Sequence, residues 1–445
     1  MIVMKFGGTS VGSADRIQSV AQVVRANLHR NPVVVVSAHS KVTDMLISLA
    51  KRAVRGQVDI DEVRDRHLGI LADLGLKPSI VEKLLGELEV LLKGISLVKE
   101  LTPRTLDYVL SFGERMSVRT VTAAFEKAGL ASTAVDAFDL GLITDSSFGS
   151  AAPLPEADNI ISWNVKRFEK LPVVTGYIGK NKDGDITTLG RNGSDYTAAI
   201  IGAACGAEEI QIWSDVDGVC SADPGIVKEA HSIDEMSFDE ASELAYYGGR
   251  IHPATLVPAV KKEIPIRLKN TWQPDNPGTL IRAKAPVRGI VKSVVYKEDL
   301  FMIELLSTRM LQHHGFMARI FEVFSRYGIV IDMIATSEVS VSLTVDSDRN
   351  LEPAIRDLES IADVKVEGGK AIVCVVGEGI RNHPGVPAQV FGALHAAGIG
   401  VQMISQSAMN INIAFLVNND QIGPAVRALH STFFGTPAPA VAEKA

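Results

Sequence analysis

Three short stretches carry residue types suited to holding a phosphate and an acidic small molecule. The first is Lys5, Phe6, Gly7, Gly8, Thr9 and Ser10, directly after the apolar run Ile2 to Met4. Paired glycines let a backbone approach a ligand closely, a helix start presents unpaired N–H groups to an anion, and a lysine adds a full positive charge. A tight turn with a solvated lysine satisfies the same residues, so this stretch alone leaves both readings open. The second is Gly190, Arg191, Asn192, Gly193, Ser194 and Asp195. Gly, Asn and Ser are ordinary turn formers and Asp suits the first turn of a helix. An arginine between glycines also offers a planar fork for a carboxylate, and loops that follow strands are where α/β sheets hold ligands. The third is Glu114, in a helical stretch rich in small and apolar residues. It suits either an incoming ammonium or a solvated helix face.

The periodicity shows the elements that must position these residues. Ile17, Val20, Ala21, Val24 and Leu28 recur at helical spacing, and Val33 to Val36 after Pro32 read as a strand covered on both faces. With the first apolar run this makes a βαβ unit. Helical patterns fill residues 44–99 and 106–128, and strand-like runs follow at 132–135, 173–178, 209–215 and 264–268. Asn181 to Asp185 reads as a hairpin turn, and a helix is expected over 196–204. Alternating strands and helices predict a doubly wound α/β domain. The polar, proline-containing stretch 270–278 brings it to a close near residue 290.

At 445 residues the chain is too long for one hydrophobic core. The 45 basic and 52 acidic residues give a formal charge of -7 without a long basic run, which argues against nucleic acid as a partner. Three cysteines, Cys205, Cys220 and Cys374, lack metal-ligand spacing, so no metal site is expected and they read as packing residues in a reducing compartment. No apolar run approaches the roughly 18 residues of a membrane span, and the first strand begins at residue 2. These features predict a cytoplasmic location and no membrane partner.

The C-terminal part contains an internal repeat. Gly315 and Gly328 recur as Gly385 and Gly398, and Ala318, Phe321, Ile329, Met333, Ile334 and Ser337 recur as Ala388, Phe391, Ile399, Met403, Ile404 and Ser407, all at one constant offset. Each copy reads as strand, glycine turn, helix and alternating strands. Such small units need a partner to bury a core, so pairing with each other or with a second subunit is expected.

The stretches KFGGTSV (5–11), SFGERMS (111–117), TTLGRNGSD (187–195) and WSDVDGVCSADP (213–224) resemble the signatures of the aspartate kinases, within the amino acid kinase family. STRMLQHHGFMARIF and IDMIATSEVSVSLTVD are similar to the first ACT regulatory unit of those enzymes. The resemblance implies an α/β catalytic domain over 1–288 with the amino acid kinase fold, an αβα sandwich on a mainly parallel sheet. Two α+β ACT domains of βαββαβ type would follow over 289–370 and 371–435, with 436–445 a disordered tail. It also implies transfer of the γ-phosphoryl of ATP, bound with Mg2+, to the side-chain carboxylate of L-aspartate. This is the entry step toward lysine, threonine and methionine.

By the same resemblance Lys5 and Asp195 are catalytic, with Asp195 organising the lysine and the nucleotide. Lys5, Gly7, Gly8, Ser214, Asp215 and Arg250 would hold the nucleotide; Thr43, Glu114, Arg191 and Ser194 would hold aspartate, Glu114 at its ammonium and Arg191 at a carboxylate. The regulatory amino acid would meet Met310, His313, Gly315, Phe316 and Met317, together with Asp332, Ser337 and Glu338. Lysine is favoured over threonine because an acidic residue suits its ε-ammonium. A homodimer or larger assembly through the ACT units is implied. The chain departs from the family at Cys220 and Gly225, where an aromatic and a basic residue are common, and in YYGGRIHPA (246–254), one residue short and with Arg250 in place of a lysine. These departures motivate a rival reading, a catalytically silent amino-acid sensor. A kinase for another acid such as N-acetylglutamate is disfavoured by the paired ACT tail.

Overall fold

A computed structural model describes residues 1–247, 253–307 and 315–435. Two compact units are present. The first holds Met1–Val219, Asp234–Phe238 and the described part of Ile251–Ala285; the second holds Cys220–Ile233 and the described parts of Asp239–Arg250 and Pro286–Ala445.

The first unit begins β1 (Ile2–Phe6), α1 (Ala14–Ala26) and β2 (Pro32–Val36), followed by α2 (Val42–Val54), α3 (Asp61–Asp73), α4 (Ser79–Val98) and the long α5 (Pro103–Lys127). Next come β3 (Ser132–Val135), α6 (Ala137–Leu140), α7 (Ala157–Val165) and β4 (Leu171–Thr175), then the hairpin of β5 (Ile178–Lys180) and β6 (Ile186–Thr188), then α8 (Gly193–Cys205) and β7 (Glu209–Ser214). Further on are β8 (Glu235–Ser237), α9 (Phe238–Tyr246), α10 (Pro253–Lys261), β9 (Ile266–Asn270) and β10 (Thr279–Arg282); all of α9 except Phe238 belongs to the second unit.

Eight strands form one sheet in the order β3-β4-β2-β1-β7-β9-β10-β8, parallel from β3 to β9, with β10 antiparallel to β9. Ile2, Val3, Met4 and Phe6 are fully buried and so are Val34, Val35 and Val36, as a strand covered by helices on both faces requires. The helix α5 starts cleanly because the Thr102 hydroxyl accepts the Thr105 N–H at 3.1 Å and Pro103 opens the first turn.

Register decides where a ligand can sit. Phe6 lies opposite both Val36 and Trp213, Val36 opposite Thr175, and Ser214 opposite Asn270. The loops after β1, β2, β4, β7 and β9 therefore leave from one edge of the sheet. The chain passes from β1 to β2 on one side and later returns to β7 on the other, which makes the end of β1 the switch point where such sheets hold ligands.

Two elements differ from the sequence reading. The run 173–178 is not a single strand: β4 ends at Thr175, and Tyr177 takes a left-handed φ of 67° before β5 begins. The helix expected from Tyr196 starts at Gly193 instead, because Asn192, at φ 55°, turns its carbonyl to accept the N–H groups of Asp195 and Tyr196. Ser194 and Asp195 thus stand in the first turn of α8.

The second unit is built on one antiparallel sheet. In chain order it adds β11 (Ser293–Leu306), α11 (Phe316–Tyr327), β12 (Ile331–Thr336), β13 (Ser340–Val345), α12 (Leu351–Glu359) and β14 (Asp363–Val376). It ends with α13 (Val386–Ala396), β15 (Met403–Ser405), β16 (Asn412–Asn418) and α14 (Ile422–Phe434). The strand order is β12-β13-β11-β14-β16-β15. The two repeats share this sheet through β11 and β14, and each has its own core, one around Ile303, Phe324 and Leu343, the other around Val375, Val390 and Phe415. Val291, just before β11, and Val294 near its start, with Ala222 and Val227, complete the second core.

Candidate functional site

Lys5, near the end of β1, points its ammonium at the first turn of α8, where Nζ lies 2.5 Å from Oδ1 of Asp195. Both side chains are nearly buried, at 10% and 13% exposure, and the contact lacks the alignment of a hydrogen bond. The turn after β1 is held open by its glycines. A Cβ on Gly8 would stand 2.7 Å from the Ala38 carbonyl oxygen, so only glycine lets this turn lie against the loop after β2. The N–H of Gly7 donates to the Trp213 carbonyl at 3.2 Å. Of the two glycines expected to offer N–H groups to a phosphate, Gly7 thus has its N–H engaged with the Trp213 carbonyl.

Glu114 comes from α5 and is 3% exposed. Its Oε1 accepts the Ala38 N–H at 3.3 Å, and its Oε2 is buried without a hydrogen-bond partner among the described residues. Burial, only partly offset by the Ala38 N–H, pushes this carboxyl from the ordinary 4.5 up to about 8. A dry carboxyl with an open acceptor is what an ammonium can pair with. Thr43 stands in the first turn of α2 and is half-buried, while Arg191 is exposed on the loop before α8. Ser194 is 8% exposed and packs on Gly176 at the end of β4: a Cβ at Gly176 would meet the Ser194 Cβ and Oγ at 2.4 Å. Gly176→Ala is therefore expected to displace the first turn of α8 and to destabilise the fold by about 1–3 kcal/mol. A urea melt of the variant checks this.

Three residues that contribute to this edge carry no local sequence signal. Tyr177, held at positive φ by its backbone N–H bond to Thr197 Oγ1 at 3.0 Å, buries a phenol that is pushed up to about 12 by burial, against a hydrogen bond to Thr188 and with Glu114 adding to the rise. Asp107 of α5 accepts from the Thr188 N–H at 2.8 Å, the Thr188 hydroxyl at 2.9 Å and the Gly149 N–H at 2.9 Å, tying the hairpin to the helix that carries Glu114. His39, in the loop after β2, is 1% exposed; burial holds it near pKa 4, and its Nδ1 bonds the Val11 carbonyl at 2.6 Å. It stays neutral near pH 7 and fastens that loop to the glycine turn.

An ion pair at the switch point, an open buried carboxyl and an exposed arginine on one sheet edge suit transfer chemistry on an acidic amino acid. Comparison with known proteins places the chain accordingly. Residues 1–270 match the model of the amino acid kinase family, and 303–360 and 373–433 match an ACT domain. Aspartokinase 2, chloroplastic, of Arabidopsis thaliana is 40% identical, over 98% of this chain and 84% of its own length. The lysine-sensitive aspartokinase 3 of Escherichia coli is 32% identical over 98% of this chain and 99% of its length. The crystal structure of E. coli aspartokinase III with aspartate and ADP superimposes with a TM-score of 0.86 at 32% identity, covering 98% of this chain and all of that one; its complex with lysine and aspartate gives 0.79. The chain belongs to the aspartokinases, within the amino acid kinase family.

The remaining residues expected from an aspartokinase fall in two places. Ser214 ends β7 and its carbonyl accepts the Thr271 N–H at 2.9 Å, with Asp215 exposed beside it. In the second unit Gly315 precedes α11 at φ 81°, Phe316 is buried and Met317 packs against the same core, so the two side chains serve the core of the first repeat. Asp332 lies on β12, and Ser337 and Glu338 stand exposed in the turn to β13. Arg250, Met310 and His313, and the tail 436–445, lie outside the described residues. The backbone of Cys220 pairs with that of Ser232 in an isolated antiparallel bridge, while Gly225 donates its N–H to Asp223 at 2.8 Å; the segment carrying both contributes Ala222 and Val227 to the second core. No helix among the described residues is long and apolar enough to cross a membrane.

Proposed function

We propose that the chain moves the γ-phosphoryl of ATP to the side-chain carboxylate of L-aspartate, giving 4-phospho-L-aspartate and ADP. The observation that carries this reading is the Lys5–Asp195 pair, 2.5 Å apart at the end of β1. One oxygen of the aspartate side chain attacks the γ-phosphorus as the bond to the β–γ bridging oxygen breaks, and that oxygen leaves on ADP. The attacking carboxylate has a reference pKa of about 3.9 and is ionised at neutral pH, so no general base is required. Catalysis then rests on alignment and on charge placed around the transferring group. In this reading Lys5 supplies that charge, Gly8 and the start of α8 face the phosphates, Arg191 forks onto a substrate carboxylate, and Glu114 takes the α-ammonium. Thr43 and Ser194 add hydroxyls. Ser214, Asp215 and Arg250 are assigned to the nucleotide.

Magnesium would be held through the nucleotide's own phosphates. There it would neutralise phosphate charge during transfer. Residues 289–370 and 371–435 serve as the regulatory ACT units of a homo-oligomeric, cytoplasmic enzyme. Lysine is the favoured inhibitor, in line with the lysine complex of E. coli aspartokinase III. The expected result is ADP release by the purified chain with MgATP and L-aspartate, suppressed by added lysine and less by threonine. Absence of turnover alongside amino-acid binding would replace this reading with that of a silent sensor.

A further inference from the structure

Of the two acidic residues expected to meet the positive group of the regulatory amino acid, Asp332 and Glu338, the inference that follows takes Asp332 and rests on that reading. In the structure this carboxylate is already occupied. Nζ of Lys297, from β11, lies 2.6 Å from Oδ1 of Asp332 and 3.0 Å from Oδ2 of Asp346, which follows β13. The Asp332 side chain is 2% exposed and its Oδ2 is buried without a hydrogen-bond partner among the described residues; Asp346 is 46% exposed. Tyr246, at the end of α9, donates its hydroxyl to the Asp332 carbonyl at 2.6 Å and has its ring 5.9 Å from the same ammonium. The chain from Tyr246 runs directly into the segment containing Arg250.

Two carboxylates share one ammonium here, so the cluster carries one uncompensated negative charge. The two seats for that ammonium are unequal. Asp332 has lost its water and depends on a cation, whereas Asp346 is largely solvated with or without one. A second ammonium arriving at Asp332 would meet Lys297 at close range, and like charges exclude each other in a buried site. Lys297 already touches Asp346, however, and can withdraw to it without leaving either carboxylate unpaired.

We propose that Lys297 is a built-in stand-in for the regulatory amino acid: its ammonium holds Asp332 while the site is empty, and the ligand's ammonium displaces it onto Asp346. The apparent affinity for the ligand is then the intrinsic one multiplied by the fraction of molecules in which Lys297 has left the seat. Because Tyr246 is bonded to the backbone of the same residue, the exchange takes place next to the helix that leads to Arg250.

The test is calorimetric titration of the full chain with lysine, and with threonine in parallel. Lys297→Met should bind the ligand about tenfold more tightly than the parent chain, since the competitor is gone. Asp346→Asn should bind it several-fold more weakly, since the displaced ammonium loses its second seat. Thermal melts add a readout that a purely structural role would not reproduce: Lys297→Met should melt lower without ligand and recover the difference when ligand is added. Equal or weaker binding by Lys297→Met overturns the exchange. Asp332→Asn separates the two claims: loss of binding there with no tightening in Lys297→Met sinks the exchange alone. Unchanged binding in Asp332→Asn, or no binding by the parent chain, removes the site and the exchange with it.

Discussion

Lys5→Met should lower kcat by about a thousandfold, the scale on which removal of one group aimed at developing charge acts. The methionine keeps the length of the stem, so the change removes the ammonium and little packing. Two effects then combine. On the proposed reading the transferring phosphoryl group loses the positive charge of Lys5, and Asp195, 13% exposed and 2.5 Å from the lost ammonium, is left as an unpaired carboxylate. Breaking a nearly buried pair from one side costs on the order of 3 kcal/mol, a large part of the 5–15 kcal/mol that holds an ordinary fold together. A fall in turnover alone would therefore be ambiguous between chemistry and folding. The double variant Lys5→Met/Asp195→Asn resolves it, because it removes both charges and with them the unpaired carboxylate. Its urea midpoint should return toward that of the parent chain while turnover stays about a thousandfold down. If the double variant regains turnover together with stability, Lys5 serves the fold and the charge reading of the switch point is wrong.

What was legible in the sequence was what is local. The four valines after Pro32, the glycines after β1 and the helical spacing of Ile17, Val20 and Val24 state their structure within a few residues, and the repeat announces itself by a constant offset. The short strands β8 and β10 lie at one side of the sheet with three and four residues each, too few for a period to show. The break at Tyr177 needs an aromatic residue at positive φ, a conformation imposed by tertiary contacts against local preference. The placement of Phe316 and Met317 in a core follows from the amphipathic face that α11 must bury, and that face is set by the sheet beneath it. The residues of the candidate site were found through family motifs, but their electrostatic state was not. That Glu114 keeps one oxygen open depends on Ala38, and that Asp332 is held by Lys297 depends on strands far apart in the chain.

The proton on Glu114 makes aspartate binding depend on pH. In the free protein this carboxyl titrates near 8, chiefly because of burial, so at pH 7 most molecules carry the neutral acid, which attracts an ammonium weakly. Binding must then expel a proton. The apparent affinity for aspartate should rise nearly tenfold for each pH unit between about 6 and 8 and level off above, as the ionised fraction does. Calorimetry in two buffers of different ionisation enthalpy should show close to one proton released at pH 7. Glu114→Gln should raise KM for aspartate about a hundredfold, by loss of a charge-assisted pair in a dry site, and should abolish the slope. Stability gives an independent check with a definite sign. A carboxyl whose pKa is raised on folding, here from 4.5 to about 8, stabilises the fold fully below pH 4.5 and progressively less as pH rises through 8. The parent chain should lose stability over that window, and Glu114→Gln, which has no proton to lose, should lose less. A KM for aspartate that is flat from pH 6 to 8 would mean that Glu114 is ionised before the ligand arrives, and the open oxygen would then have to be paired in solution by something other than the substrate.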